Sequence, residues 1–224
     1  MKKLIITILI SLFTLSVFAQ KDVTKFLGIP VDGTKSEMIR KLKAKGFKST
    51  TYDKEILEGE FNGFDVTIHI GTTNNKVSRI MICDKNEVDE SSIRIRFNNL
   101  CYQFYNNDKY ITDQDYSIPK TEDISYNMRV NNKRYEAIFY QLIENSNEVA
   151  KEELFPYLNS MYTIEELTNM SEKTRDEINQ ITYNFLIEKS SKKSVWFMIS
   201  EYLGKYYIAM YYDNKYNRAN GEDL

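Results

Sequence analysis

Residues 194–213 read SVWFMISEYLGKYYIAMYYD, two runs of alternating residues meeting at Leu203-Gly204. A two-residue turn there predicts a β-hairpin, 194–202 with 205–213, because alternation at period two marks strands and a glycine supplies the positive φ of a tight turn. The register places Val195, Phe197 and Ile199 beside Ile208, Met210 and Tyr212 on a core face. The opposite face then carries Trp196, Met198, Tyr207 and Tyr211 around Ala209 and Ser200. Trp, Tyr and Met on an outward face are the composition of a binding hot spot, and these four residues are the candidate binding residues; the other and commoner arrangement is a face covered by residues 144–170 or another subdomain, since large apolar patches on monomers are uncommon.

Upstream, a helix precedes this hairpin and the pairing of helix with hairpin recurs. Residues 174–188 carry Ile178, Ile181, Phe185 and Leu186 as one stripe, opened by Thr174 and Glu177 as a capping box. Residues 90–106 carry Ile93, Phe97, Leu100, Cys101 and Phe104, and a hairpin of 124–130 with 133–142 through Asn131-Asn132 follows them. In that hairpin Ile124, Tyr126, Met128 and Val130 share a face with Tyr135, Ala137 and Phe139. Near the start, Thr34 caps a helix with Glu37 three residues on, Met38, Ile39 and Leu42 form its stripe, and Gly46 ends it. Strand-like segments at 47–52 and 55–61 lead to a hairpin of 64–72 with 77–84 turned at Asn74-Asn75. Val66, Ile68 and Ile70 there share a face with Val77, Met81 and Cys83, and Asp65, Thr67 and His69 take the other. Residues 144–170 are irregular, with Pro156 and a short helix at 163–170. Three helix–hairpin units predict an α+β fold, an antiparallel sheet with helices packed on one face.

The ends of the chain speak to its compartment. Lys2 and Lys3, the apolar run Leu4–Leu15 and Val17-Phe18-Ala19 read as a secretory signal peptide over residues 1–19, too short to span a bilayer. Cleavage leaves residues 20–224, a single α+β domain or two subdomains, 20–143 and 144–224. It also moves the net charge from −2 to −4, because two lysines leave. That near balance gives no surplus of cations for phosphates and argues against nucleic acid as a partner. The expected address is the periplasm or the extracellular space, with no membrane span after cleavage and another envelope or extracellular protein as partner.

Chemistry-bearing residues are few. One histidine and two cysteines leave a His/Cys zinc site short of ligands, and no cofactor motif is present, so no metal and no cofactor is expected. Cys83 and Cys101 both fall on core-facing positions. A disulfide between them would add about 3 kcal/mol in the chain-entropy model; the other reading is two buried thiols packing as small hydrophobes. His69 lies between Asp65 and Asp84 by register, where a carboxylate-oriented base is conceivable, although a surface histidine near acids is the commoner arrangement. Asp108, Asp113 and Asp115 cluster near a turn without the EF-hand spacing or its glycine. No catalytic residue is assigned.

The segment FLGIPVDGTKSEMIRKLKAKGF, residues 26–47, with YYDNKYNRANGEDL, residues 211–224, resembles a group of exported hypothetical proteins common in gut Bacteroidetes. More distantly, the Gly-Thr turn and short helix at Gly33–Leu42 are similar to the start of modules in β-lactamase-inhibitor proteins and in small outer-membrane assembly lipoproteins. Gly46-Phe47-Lys48 stands where those modules carry Gly-x-Pro, and the lipid-bearing cysteine of the lipoproteins is absent. That likeness implies a non-catalytic, protein-binding module. The expectation is therefore an exported α+β binding module; the alternative is an envelope hydrolase using a carboxylate pair that nothing in the sequence selects.

Overall fold

Thr34 opens the first helix by accepting a hydrogen bond from the Glu37 amide at 3.3 Å. Helix α1, Lys35–Ala44, turns Met38 and Leu42 inward one helical turn apart. Gly46, at φ +103°, then takes a left-handed conformation that a side chain would resist. The carboxylate of Glu37 pairs with Lys41 at 2.8 Å. The computed structural model describes residues 21–219, so the leader 1–19 and the last residues of the chain lie outside the described residues.

Before α1 stands a small hairpin, β1 Lys25–Phe26 with β2 Ile29–Pro30. After it come β3 Lys48–Ser49, β4 Leu57–Phe61, β5 Phe64–Thr73 and β6 Lys76–Asp84. Helix α2, Glu90–Tyr105, buries Ile93, Phe97, Leu100, Cys101 and Phe104, the stripe its sequence spacing predicts. Strand β7 is Tyr110–Ile111, α3 is Ile124–Val130 and β8 is Glu136–Gln141. A helical insert follows: α4 Ser146–Val149, a π-helical turn Ala150–Leu154, α5 Phe155–Met161, α6 Ile164–Thr168 and α7 Glu172–Ser190. Strands β9 Ser194–Tyr202 and β10 Lys205–Asp213 end the sheet, before a 3-10 turn at Lys215–Asn217.

The eight longer-range strands form one antiparallel sheet in the order β3-β4-β5-β6-β10-β9-β8-β7, so the fold is α+β. Because β10 and β9 sit at its centre, the sheet runs through both 20–143 and 144–224. Its two edges, β3 and β7, are two residues long. Helices α1 and α2 pack on one face, over a core that includes Phe26, Leu57, Ile68, Ile80, Phe139 and Phe197. Rings of Phe104, Phe139 and Phe197 stack there with centroids 4.7 to 6.1 Å apart.

Three expectations are corrected. Residues 124–130 are helical, not a strand: Asp123 caps them by accepting from the Tyr126 amide at 2.8 Å. Only Ile124 and Met128, four apart, turn inward, leaving Tyr126 and Val130 exposed. β8 therefore pairs with β9 and β7. The third long helix, α7, is capped by Ser171 through the Thr174 amide rather than by Thr174 with Glu177. Its stripe faces the other insert helices, and its main contact with the sheet is along β8.

The third correction has the widest effect. The β5–β6 hairpin turns at Asn74-Asn75 as expected, both at positive φ. Two residues further in, the ladder passes from Thr72↔Val77 to Gly71↔Arg79, leaving Ser78 as an extra residue. A β-bulge of this kind flips every later side chain of the strand to the other face. Ile80 and Ile82 thus point inward, while Met81 and Cys83 point outward.

Candidate functional site

The bulge fixes what the outer face of the sheet carries. Met81 stands opposite Tyr211, Tyr211 opposite Trp196, and Trp196 opposite Ile138. Those four residues make a row across β6, β10, β9 and β8, about 14 Å wide at the usual strand spacing. A second row, Cys83, Ala209, Met198 and Glu136, lies beside it, with Tyr207 next along β10. The Leu203-Gly204 turn and the β9–β10 register match the sequence reading, so Trp196, Met198, Tyr207 and Tyr211 share the face opposite α1 and α2. All four are half-buried. Met81 and Ile138 join them, as the sequence reading did not foresee. The signal for Met81 was Gly71, an isolated glycine in a strand interior, which often marks a bulge.

Trp196 and Tyr211 cover one another. The indole of Trp196 stacks on the Tyr211 ring, centroids 4.0 Å apart and planes 14° from parallel. The Arg79 guanidinium lies 5.0 Å from the Tyr211 centroid and 5.5 Å from that of Trp196. Asp213, itself buried, holds the arrangement: it accepts Arg79 Nε at 2.5 Å and Nη2 at 2.8 Å, and the Trp196 indole N–H at 3.0 Å. The bidentate bond to Asp213 raises the pKa of Arg79 above its ordinary value, against the opposing effect of burial. Burial likewise raises that of the Tyr211 hydroxyl, so at neutral pH the face presents a neutral phenol. Two aromatic rings with fixed rotamers lose little entropy on contact, which suits them to an interface.

The remaining candidates separate. Cys83 points outward while Cys101 is buried on the core-facing side of α2, over the inner face, so the sheet lies between them and both are free thiols, not a disulfide. Burial pushes the Cys83 thiol up to about 11 and the Cys101 thiol to about 12, the reverse of a nucleophile's requirement. His69 faces Met81 on the outer face. Burial lowers its pKa despite the nearby charge of Asp53, leaving a neutral ring at pH 7. Asp84, expected beside it, is turned by the bulge to the inner face, where it pairs with Arg96 at 3.3 Å. Asp115 accepts the Ser117 amide at 2.9 Å, and among the described residues no group of three acids, His or Cys is placed to hold a metal.

The carboxylates that touch several partners are held as anions. Glu90 accepts from the Ser125 hydroxyl and amide and from the Ile124 amide, tying α2 to the start of α3, and the Ser125 bond leads the lowering of its pKa. Glu122 is lowered first by Lys133 and then by the Tyr135 hydroxyl. A glycosidase acid needs the opposite shift. The cleft on the helical face, about 520 Å³, is lined by Phe47, Phe61, Phe104, Tyr110 and Tyr212, with Glu60 as its one acid and Lys45 also on its wall. A single carboxylate does not make an acid pair.

Among the described residues no helix is long and apolar enough to cross a membrane. Comparison with protein-family models, curated proteins and solved structures gave no match to this chain.

Proposed function

We propose that this chain is an exported, non-catalytic binding module of the cell envelope that receives a protein partner on the outer face of its sheet. One observation carries the reading: the row Met81–Tyr211–Trp196–Ile138 lies on the side of the sheet away from α1 and α2 and is locked by the Arg79–Asp213 pair. Rigid aromatic anchors of this type dominate protein interfaces, and a cation beside them adds the polar contact that fixes orientation. The amino-terminal leader pattern supplies the address, periplasm or extracellular space.

Trp196 is the chain's one tryptophan, so its fluorescence reports this face alone. Envelope extract passed over immobilised wild type and over Trp196→Ala should yield a protein retained by the first and lost from the second. Titrating that protein should then shift the Trp196 emission to shorter wavelength and protect it from acrylamide. Equal retention by both forms, or binding that leaves the emission unmoved, would count against the outer face.

A further inference from the structure

The insert between β8 and β9 has no counterpart in the outer-face reading. Those strands are direct antiparallel neighbours, with Tyr140 opposite Ser194. Such pairs are ordinarily joined by two to five residues, whereas residues 142–193 separate these two strands. Here α4 to α7 fill the gap, and their packing leaves a groove of about 620 Å³ lined by Leu142, Leu154, Phe155, Leu158, Ile178 and Leu186. Within 146–190 only Leu154, Leu158 and Ser190 are buried. Phe155 is 50% exposed, Met161 51% and Met170 37%. The π-helical turn Ala150–Leu154 lies on the groove wall, and such turns cluster at functional sites.

Charge selects the occupant. Residues 146–190 hold nine acidic and four basic side chains, a net −5 within a chain whose total is −2. Of the four bases, Lys173 and Lys189 are paired within the insert, to Glu177 and Glu153. An apolar groove on an acidic helical body is complementary to an amphipathic helix with a basic polar face, the helix-in-groove mode of recognition. We propose that the insert is a second docking site, for a basic amphipathic helix of a partner protein, with Phe155 and Met170 in contact with that helix's apolar stripe.

A fluorescent 18-residue amphipathic peptide of leucine and lysine, titrated into the full chain and followed by anisotropy, tests this. Binding should weaken at least tenfold for Phe155→Asp and for the milder Met170→Gln, with helical circular dichroism unchanged. It should also fall as salt rises from 50 to 500 mM, and remain as in wild type for Trp196→Ala, which separates this site from the outer face. The same peptide with glutamate for lysine should not bind. Equal affinity of wild type, Phe155→Asp and Met170→Gln would overturn the proposal. So would tight binding of the glutamate peptide, or sedimentation showing a dimer that Phe155→Asp dissolves, which would give the groove to a second copy.

Discussion

Asp213 shows how much one side chain can organise. Its two oxygens serve a guanidinium and an indole N–H, while its own burial leaves little solvent to compete. Removing one partner of a buried ion pair costs about 3–5 kcal/mol, and less where, as for Arg79, one member keeps access to water. The thiols make a second case at this scale. In the folded protein Cys83 titrates near 11 and Cys101 near 12, against an ordinary 9.0 for the unfolded chain. The neutral thiol is therefore favoured by folding, so its contribution is complete below pH 9 and is lost as pH climbs through 11 to 12. Melting temperatures from pH 8 to 11 should fall more steeply for wild type than for Cys101→Ala. At pH 8 native Cys83 should react with Ellman's reagent roughly a hundredfold more slowly than in guanidinium, since the thiolate is the reactive species. Oxidised samples should still contain two titratable thiols per chain.

Among elements, β6 is the one whose meaning turns on a single inserted residue. Ser78 is extra in the ladder, and the strand beyond it also pairs with β10. Deleting Ser78 should drive Met81 and Cys83 into the core and Ile80 and Ile82 out of it, lowering the unfolding free energy read from urea titration by several kcal/mol, whereas Ser78→Ala should cost less than about 1 kcal/mol. The same element separates what the sequence disclosed from what it hid. The β9–β10 pair was legible because Leu203-Gly204 fixes a two-residue turn and nothing interrupts the alternation after it. The β5–β6 turn was equally legible at Asn74-Asn75, yet the faces were misassigned, since a bulge leaves the residue types unchanged and alters only which way they point. At 124–130 the apolar residues fit period two and, at Ile124 and Met128, period four. Asp123 capping and the missing strand partner decided for the helix.

On the scale of the molecule, two bodies of different character share one chain. The main apolar cluster draws on the eight-stranded sheet, α1, α2, α3, the β1–β2 hairpin and adjoining loops, while the insert adds no residue to it. The insert leaves the sheet at Gln141 and returns at Ser194, where the Gln141 amide donates to the Lys193 carbonyl at 2.9 Å. Replacing 144–191 by a short Asn-Gly linker should therefore leave the remaining protein folded. The loss in melting temperature should be a few degrees rather than a collapse, and the Trp196 emission should stay as in wild type. A product that is molten by near-ultraviolet circular dichroism would mean that α7 stabilises β8 more than its packing suggests. The outer face and the groove, being built on different bodies, should respond to separate substitutions.

The sheet tapers at both margins to strands of two residues, β3 and β7. Long open margins invite another chain to add itself by main-chain hydrogen bonds, the first step of fibre growth. Stubs this short offer almost no ladder to extend, so the protein should remain monodisperse when concentrated or stored. A partner is left with side chains to grip rather than backbone to prolong.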